Sequence, residues 1–170
     1  MVEPRDRRNP YLIPRLYIEG IKGDEYLVES GEGVYKRSKS CPSGSRCYGK
    51  AIYGVELDSI LDLLEKKVKR SFIVEPGDKP GEGILVESGV HAEPIPVSGK
   101  RAVIEVLEGD EVKEGDVLGL IVTGKYELRK VRSHVDGIVV YIYSSPMGPP
   151  DENIVFIVPR DQVKRIKIEE

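Results

Sequence analysis

Tryptophan is absent from the 170-residue sequence, and phenylalanine, methionine, histidine and cysteine occur only twice each. With so few histidines and cysteines, a zinc site of two cysteines and two histidines would need all four residues to converge. No apolar run approaches the roughly 20 residues of a membrane-spanning helix, since stretches such as 154–158 are far shorter. No apolar core follows the charged first residues, so we expect no secretory signal and a cytoplasmic protein.

A strong excess of one charge is also missing, because the formal net charge is only -3. Composition alone therefore does not indicate a nucleic-acid partner. Side-chain amides are scarce as well: Asn9, Asn153 and Gln162 are the only ones, whereas glutamate, lysine and arginine are abundant. This combination is typical of hyperthermophilic proteins, in which a cytosolic disulfide is admissible.

Glycine and proline are plentiful, with 18 and 12 copies, and this composition favours short strands and turns over a helical bundle. Apolar runs at 16–19, 26–29 and 34–36, separated by turn-forming residues, predict an N-terminal meander. One helix is predicted by a set of apolar residues at helical spacing: Leu57, Ile60, Leu61, Leu64 and Val68. Short strands dominate beyond residue 84 with no helices between them, which favours an antiparallel sandwich or barrel.

Two segments of the second half resemble each other. Residues 96–106 and 133–142 both contain a turn ending in glycine, at Gly99 and Gly137, followed by an apolar strand. Neither unit could bury its apolar face alone, so the repeat predicts a pseudo-twofold β fold. Chance similarity between two strands that begin at a glycine is the alternative.

The segment between these repeats, EGDEVKEGDVL at residues 108–118, resembles the turn that links two strands in biotinyl/lipoyl domains. The resemblance spans about residues 95–143 and implies a barrel-sandwich hybrid with turn positions at Gly109, Asp110 and Gly115. The segment at 122–125 falls where lipoyl domains have the hairpin that presents their modified lysine. By this resemblance Gly124 belongs to that hairpin, and Lys125 is the candidate for modification.

The whole chain also resembles a small uncharacterised archaeal family that joins an N-terminal α+β region to such a barrel. We therefore expect a mainly β protein, α+β in overall class. The expected division has an N-terminal α+β region with one helix at 1–75 and a linker at 76–83. The expected division continues with a barrel-sandwich hybrid at 84–160 and ends with a charged tail at 161–170.

Cys41 and Cys47 lie six residues apart in a loop rich in proline, glycine and serine. This spacing permits a local disulfide that would stabilise the fold by about 2 kcal/mol. Free thiols or half of a zinc site are the alternatives, although the spacing matches no zinc-finger pattern.

The same loop is basic and contains no acidic residue from 34 to 54. Together with nearby tyrosines, its cations could bind phosphates or single-stranded nucleic acid by charge and stacking. A solvated loop is the alternative interpretation. The cations are Lys36, Arg37, Lys39, Arg46 and Lys50.

Catalytic motifs are missing from the sequence. It contains no nucleophile-elbow motif, and no glycine-rich phosphate loop precedes a helix. We therefore predict a non-catalytic binding or scaffold protein without a metal or cofactor, whose partner is a protein or a second copy of the chain. The first alternative is a prosthetic-group carrier with lipoyl or biotin on Lys125. However, Gly124 and Tyr126 flank this lysine, where biotin acceptors have methionines. The second alternative is a nucleic-acid or phosphate binder that uses the basic loop at 36–50.

Overall fold

The structure is a computed structural model, and it describes residues 13–54 and 57–170. Sixteen strands and one short 3-10 helix, Arg160–Gln162, are present in these two ranges. In chain order the strands are β1 Arg15–Glu19, β2 Tyr26–Gly31, β3 Val34–Ser38, β4 Cys47–Ala51, β5 Leu61–Asp62, β6 Lys67–Val68, β7 Phe72–Glu75, β8 Glu82–Val86, β9 Glu93–Gly99, β10 Arg101–Ile104, β11 Glu111–Val112, β12 Val117–Val122, β13 Leu128–Arg132, β14 Gly137–Ser144, β15 Asp151–Val158 and β16 Val163–Glu169.

Seven strands close into a barrel in the order β1-β4-β2-β3-β16-β8-β7, and β7 pairs with β1 to complete it. Every pair is antiparallel except β16 with β3. Each barrel strand contributes at least one side chain to a buried cluster that fills the interior, because alternate residues of a strand point to opposite faces. The members of this cluster are Tyr17, Leu27, Tyr35, Tyr48, Ile73, Leu85, Ile166 and Ile168.

The second half forms a four-stranded sheet, β11-β14-β15-β9, and a three-stranded sheet, β10-β12-β13. These two sheets share a core that includes Val97, Leu118 and Val155, with Ile121 and Val131 packed against it. Strands β14 and β15 also pack against the outside of the barrel, through a second core that includes Leu16, Phe72 and Phe156. Side chains on both faces are buried over 138–142 of β14 and 155–158 of β15, and the sequence of both segments is continuously apolar.

The mainly β class predicted from composition is confirmed, but the predicted helix is not present. The described residues from 57 to 70 form turns and the β5–β6 hairpin, in which Leu61 lies opposite Val68. The Asp62 carboxylate accepts the N–H groups of Leu64 and Glu65 at 3.0 and 3.1 Å, a local pattern that competes with helix formation. Leu64 is 95% exposed, so it does not belong to the buried face that the helical spacing implied.

The barrel draws on strands from distant parts of the sequence. β8 and β16 pair with each other at its side, with Val163 opposite Val86. The expected linker at 76–83 therefore runs into β8, and the expected charged tail at 161–170 contains β16. Across residues 13–54 and 57–170, no helix has the length and apolar character needed to cross a bilayer.

Candidate functional site

The segment that resembles the biotinyl/lipoyl turn contains the same local structure twice. In the first copy the Asp110 amide donates to the Leu107 carbonyl at 3.0 Å, and the Asp110 carboxylate accepts the Leu107 amide at 2.8 Å. In the second copy Asp116 makes the equivalent two bonds to Lys113, both at 2.9 Å. Each Glu-Gly-Asp sequence thus closes one four-residue turn.

Both of these turns require glycine. Gly109 and Gly115 have φ values of +91° and +96°, a region that side-chain-bearing residues rarely adopt. β11 lies between the two turns and pairs with the start of β14. The Glu-Gly-Asp turns therefore set the position of β12 and of the hairpin that follows it.

The hairpin between β12 and β13 places Lys125 at its exposed tip. The Tyr126 amide donates to the Thr123 carbonyl at 2.9 Å, and the Thr123 amide donates to the Glu127 carbonyl at 2.8 Å. This is a short hairpin loop in which a tight turn is followed by one left-handed residue. Its strands hold Lys125 away from the sheet.

Gly124, which the resemblance assigns to this hairpin, does not have a positive φ. Tyr126 adopts the left-handed conformation instead, with a φ of +62°. The reason is the loop type, because a type I turn has negative φ at both central residues and places the left-handed residue after them. Gly124 is exposed, and a Cβ added to it would meet nothing within 4 Å.

A cation–π contact organises the base of this loop. The Lys100 ammonium lies 4.0 Å from the centre of the Tyr126 ring and donates to its hydroxyl at 2.6 Å. Tyr126 is nevertheless 75% exposed. Lys100 thereby fixes the orientation of an accessible aromatic ring beside Lys125.

One face of the three-stranded sheet is not covered by any other element of the described residues. We call this the outer face and define it by two rows of cross-strand neighbours: Arg101, Val122 and Leu128, and Val103, Leu120 and Lys130. Val103 is 54% exposed and Leu128 is 71% exposed, whereas Leu120 and Val122 are half-buried. Residues of the opposite face, such as Ile121 and Val131, pack on the core instead. The outer face is thus a small aliphatic surface with cations at its rim.

β13 lies at the edge of this sheet. It pairs with β12, and no other strand of the described residues pairs with its second edge. Four of its five residues are exposed, and three of them are the cations Arg129, Lys130 and Arg132. Segments 100–105 and 119–132 together contain six cations and two acidic residues, although the whole chain has a net charge of -3. Positive charge is therefore concentrated around the outer face.

The basic loop predicted as a nucleic-acid site is largely neutralised by internal partners. Arg37 contacts Glu75 with both terminal nitrogens, at 3.0 and 2.5 Å, and its side chain is only 12% exposed. Arg46 pairs with Glu19 and Glu87, and Lys50 lies 3.9 Å from Glu25. Lys36 and Lys39 are exposed and have no acidic partner within the described ranges.

Burial also shapes the electrostatics of this part of the barrel. Burial opposes ionisation of Glu75, but hydrogen bonds from Arg37 and from the Gly81 amide outweigh it and lower the pKa of the carboxyl. Tyr35 and Tyr48 are buried in the barrel interior, where desolvation raises the pKa of both phenols. Their rings are therefore not accessible for stacking on bases.

Cys41 and Cys47 are joined by a disulfide in the structure, with sulfurs 2.04 Å apart and Cα atoms 5.9 Å apart. Cys47 begins β4, and Cys41 lies in the preceding exposed loop. The bond thus ties the loop to the barrel wall. In the described part of the chain, no group of three or more histidine, cysteine or acidic side chains is arranged to hold a metal.

One network, which no sequence pattern indicates, joins both histidines of the chain. His91 and His134 contact different oxygens of Glu93, at 2.9 and 3.0 Å, and Lys66 contacts the second of these oxygens at 3.1 Å. Burial opposes ionisation of Glu93, but these three hydrogen bonds lower the pKa of its carboxyl to about 2. The network connects the β5–β6 hairpin, the start of β9 and the turn before β14. No motif reveals it, because Lys66 and His134 lie 27 and 41 positions from Glu93 in the sequence.

A family model matches residues 11–160, and the family is described as an uncharacterized protein conserved in archaea (DUF2118). Since the match spans most of the chain, the chain belongs to this family. The expected resemblance to an uncharacterised archaeal family is confirmed. A comparison with curated proteins gives no match.

Proposed function

We propose that this member of the archaeal family is a non-catalytic binding or scaffold protein, built on a biotinyl/lipoyl-like barrel-sandwich hybrid in its second half. The observation that supports this proposal is the outer face, which presents exposed Val103 and Leu128 on a rigid sheet. Exposed apolar side chains grouped within a charged rim are typical of protein interaction sites. The proposed location is the cytoplasm and the proposed partner is another protein.

The main side-chain networks support a structural rather than a catalytic role. Glu93 is bonded to three cationic or imidazole groups, and Arg37 is held by Glu75 in the barrel. These groups satisfy each other and connect elements of the fold.

The proposal is tested with a variant that carries Val103→Lys and Leu128→Lys. Proteins that purify with the tagged chain from an archaeal host are identified and then reconstituted with it one at a time. We expect the double variant to bind the partner at least about tenfold more weakly, because central apolar anchors contribute most of the binding free energy.

Leu64→Lys is the matched control, since Leu64 is 95% exposed on the remote β5–β6 hairpin. Its affinity should equal that of the wild type, and circular dichroism should show all variants folded. Equal affinity of the double variant would contradict the proposed surface.

The second candidate function is a prosthetic-group carrier modified at Lys125. The hairpin tip favours it, because Lys125 stands exposed at the end of two paired strands, as a carrier lysine must. Peptide mass mapping of protein from its native host tests the idea. A lipoyl or biotinyl adduct that disappears in Lys125→Arg would establish the carrier and replace the scaffold proposal.

Nucleic-acid or phosphate binding through the loop at 36–50 is a weaker proposal. Lys36 and Lys39 are its accessible cations, whereas Arg37 lies in the barrel and Tyr35 and Tyr48 are buried. Retention of RNA that falls with salt and is lost in Lys36→Glu, Lys39→Glu would support it.

A further inference from the structure

We propose that the second edge of β13 accepts an extended acidic segment of a partner protein as an added strand. This inference rests on the proposed function and specifies the chemistry of its partner. Main-chain hydrogen bonds would give such a complex its affinity, and side chains on the two faces of the added strand would give its specificity.

The backbone of β13 is suited to this role. Its strand is held in place on one side by a five-position register with β12, from Val117 opposite Arg132 to Val122 opposite Leu128. On the other side, no strand of the described residues covers it. An edge of this kind presents a row of backbone groups ready to pair with another chain.

The side chains of β13 determine which chain can pair there. Lys130 and Arg132 share the face of exposed Leu128, and Arg129 points to the other face. Within residues 13–54 and 57–170, Arg129 alone among these cations has an acidic neighbour, Glu127 at 3.1 Å, and that pair is exposed. An added strand with carboxylates would therefore find cations on both of its faces.

A second copy of the chain fits this edge poorly. If two β13 strands paired, the cations of each strand would face those of the other, and directly opposed like charges destabilise a sheet. Single-stranded nucleic acid would meet the same cations and the exposed Tyr126 ring in the hairpin loop, but the outer face beside the edge is aliphatic and gives successive bases no aromatic surface to stack on. The cationic edge thus disfavours a second copy of the chain, and the aliphatic outer face disfavours nucleic acid, whereas an acidic strand is compatible with both features.

The test uses a blocked peptide in which pairs of glutamates alternate with pairs of valines, so that carboxylates lie on both faces of the added strand. The full chain is labelled for amide NMR. We expect chemical-shift changes and slower amide exchange in residues 128–132, without changes in the barrel strands. Arg129→Glu, Lys130→Glu should weaken binding by about tenfold or more, because both charge pairs become repulsive.

Two control peptides isolate the two parts of the inference. A peptide with lysine in place of every glutamate of the probe should not bind. An acidic peptide with methylated backbone nitrogens on the pairing side should lose most of its affinity, because it cannot form the ladder. Equal binding of this methylated peptide would overturn strand addition.

The remaining outcomes also decide the question. Binding of an oligouridylate at residues 128–132 in place of the acidic peptide would overturn the partner class. Dimerisation that Arg129→Glu, Lys130→Glu abolishes would instead assign the edge to a second copy. If the acidic peptide fails while Val103→Lys, Leu128→Lys still disrupts a reconstituted complex, this inference fails and the proposed function stands.

Discussion

Replacement of Arg37 by methionine should destabilise the barrel strongly. The variant leaves Glu75 buried, with a side chain that is only 4% exposed, and removes the two nitrogens that contact its oxygens. Breaking a buried ion pair by removing one partner costs about 3–5 kcal/mol. Glu75 would keep the Gly81 amide at 2.9 Å and a long contact with Arg15 at 3.9 Å. We therefore expect a loss of about 3 kcal/mol at neutral pH, the lower end of that range.

Chemical denaturation followed by circular dichroism measures this loss directly. For a chain of this size, a loss of about 3 kcal/mol lowers the melting temperature by roughly 6–12 °C. Arg46→Met is the matched control, because Arg46 is 46% exposed and pairs with the half-exposed Glu19. Its cost should be about 1 kcal/mol or less.

The Arg37–Glu75 ion pair also predicts that the stability of the fold depends on pH. Since the folded pKa of Glu75 is lowered, its contribution is present above the unfolded pKa and disappears as pH falls through the folded pKa. The difference in the free energy of unfolding between wild type and Arg37→Met should therefore become smaller at acidic pH. Arg37→Met, Glu75→Leu should recover much of the lost stability. A loss below about 1 kcal/mol for Arg37→Met at neutral pH would refute the reasoning.

Three further predictions concern other parts of the fold. Gly99→Ala should lower the free energy of unfolding, measured by urea denaturation, by about 1–3 kcal/mol, because the new Cβ would lie 2.6 Å from a carbonyl oxygen of β12. Gly124→Ala is the control and should be nearly neutral, because open space surrounds that position. Equal losses for the two variants would contradict this. Tyr48→Phe should raise the urea midpoint, with a gain of about 1 kcal/mol, since its buried hydroxyl has no hydrogen-bond partner in the described part of the chain; a loss of stability would show that the hydroxyl is satisfied. The pKa of Glu93 is lowered to about 2 from an ordinary 4.5, so the contribution of its carboxylate to the free energy of unfolding should vanish as pH falls between these values. Glu93→Gln should therefore flatten the dependence of the free energy of unfolding on pH in this window. An unchanged dependence would assign it to other groups.

Local patterns predicted the parts of the fold in which neighbouring residues determine structure. The two Glu-Gly-Asp sequences specify turns through one glycine conformation and one aspartate side chain, and both are present at Gly109 and Gly115. The repeat is consistent with the structure at its glycines, since a Cβ on either Gly99 or Gly137 would collide with a neighbouring strand's carbonyl oxygen.

The helix prediction failed because periodicity alone cannot tell a helix from a hairpin with buried ends. Ile60, Leu61 and Val68 are buried in the shared core, as either structure would allow, but Leu64 lies at the exposed hairpin tip. Local hydrogen bonds from Asp62 and the tertiary packing of the hairpin ends decide between the two.

Contacts between residues that are distant in the sequence could not be predicted from it. The carboxylate of Glu93 meets His134 from 41 positions away, and Arg37 meets Glu75 from 38 positions away. The alternation of Leu120 and Val122 is visible in the sequence, but whether a second layer covers that face depends on the assembled sheets. The outer face could therefore be identified only from the structure.

Site-specific photocrosslinking in an archaeal host tests the proposed binding surface most directly. A photoreactive side chain would replace Leu128 on the outer face or, as a control, Leu64 on the β5–β6 hairpin. We predict one discrete protein adduct at position 128, identified by mass spectrometry, and none at position 64. Equal adducts at the two positions, or none at position 128, would contradict the assignment of the outer face as the binding surface.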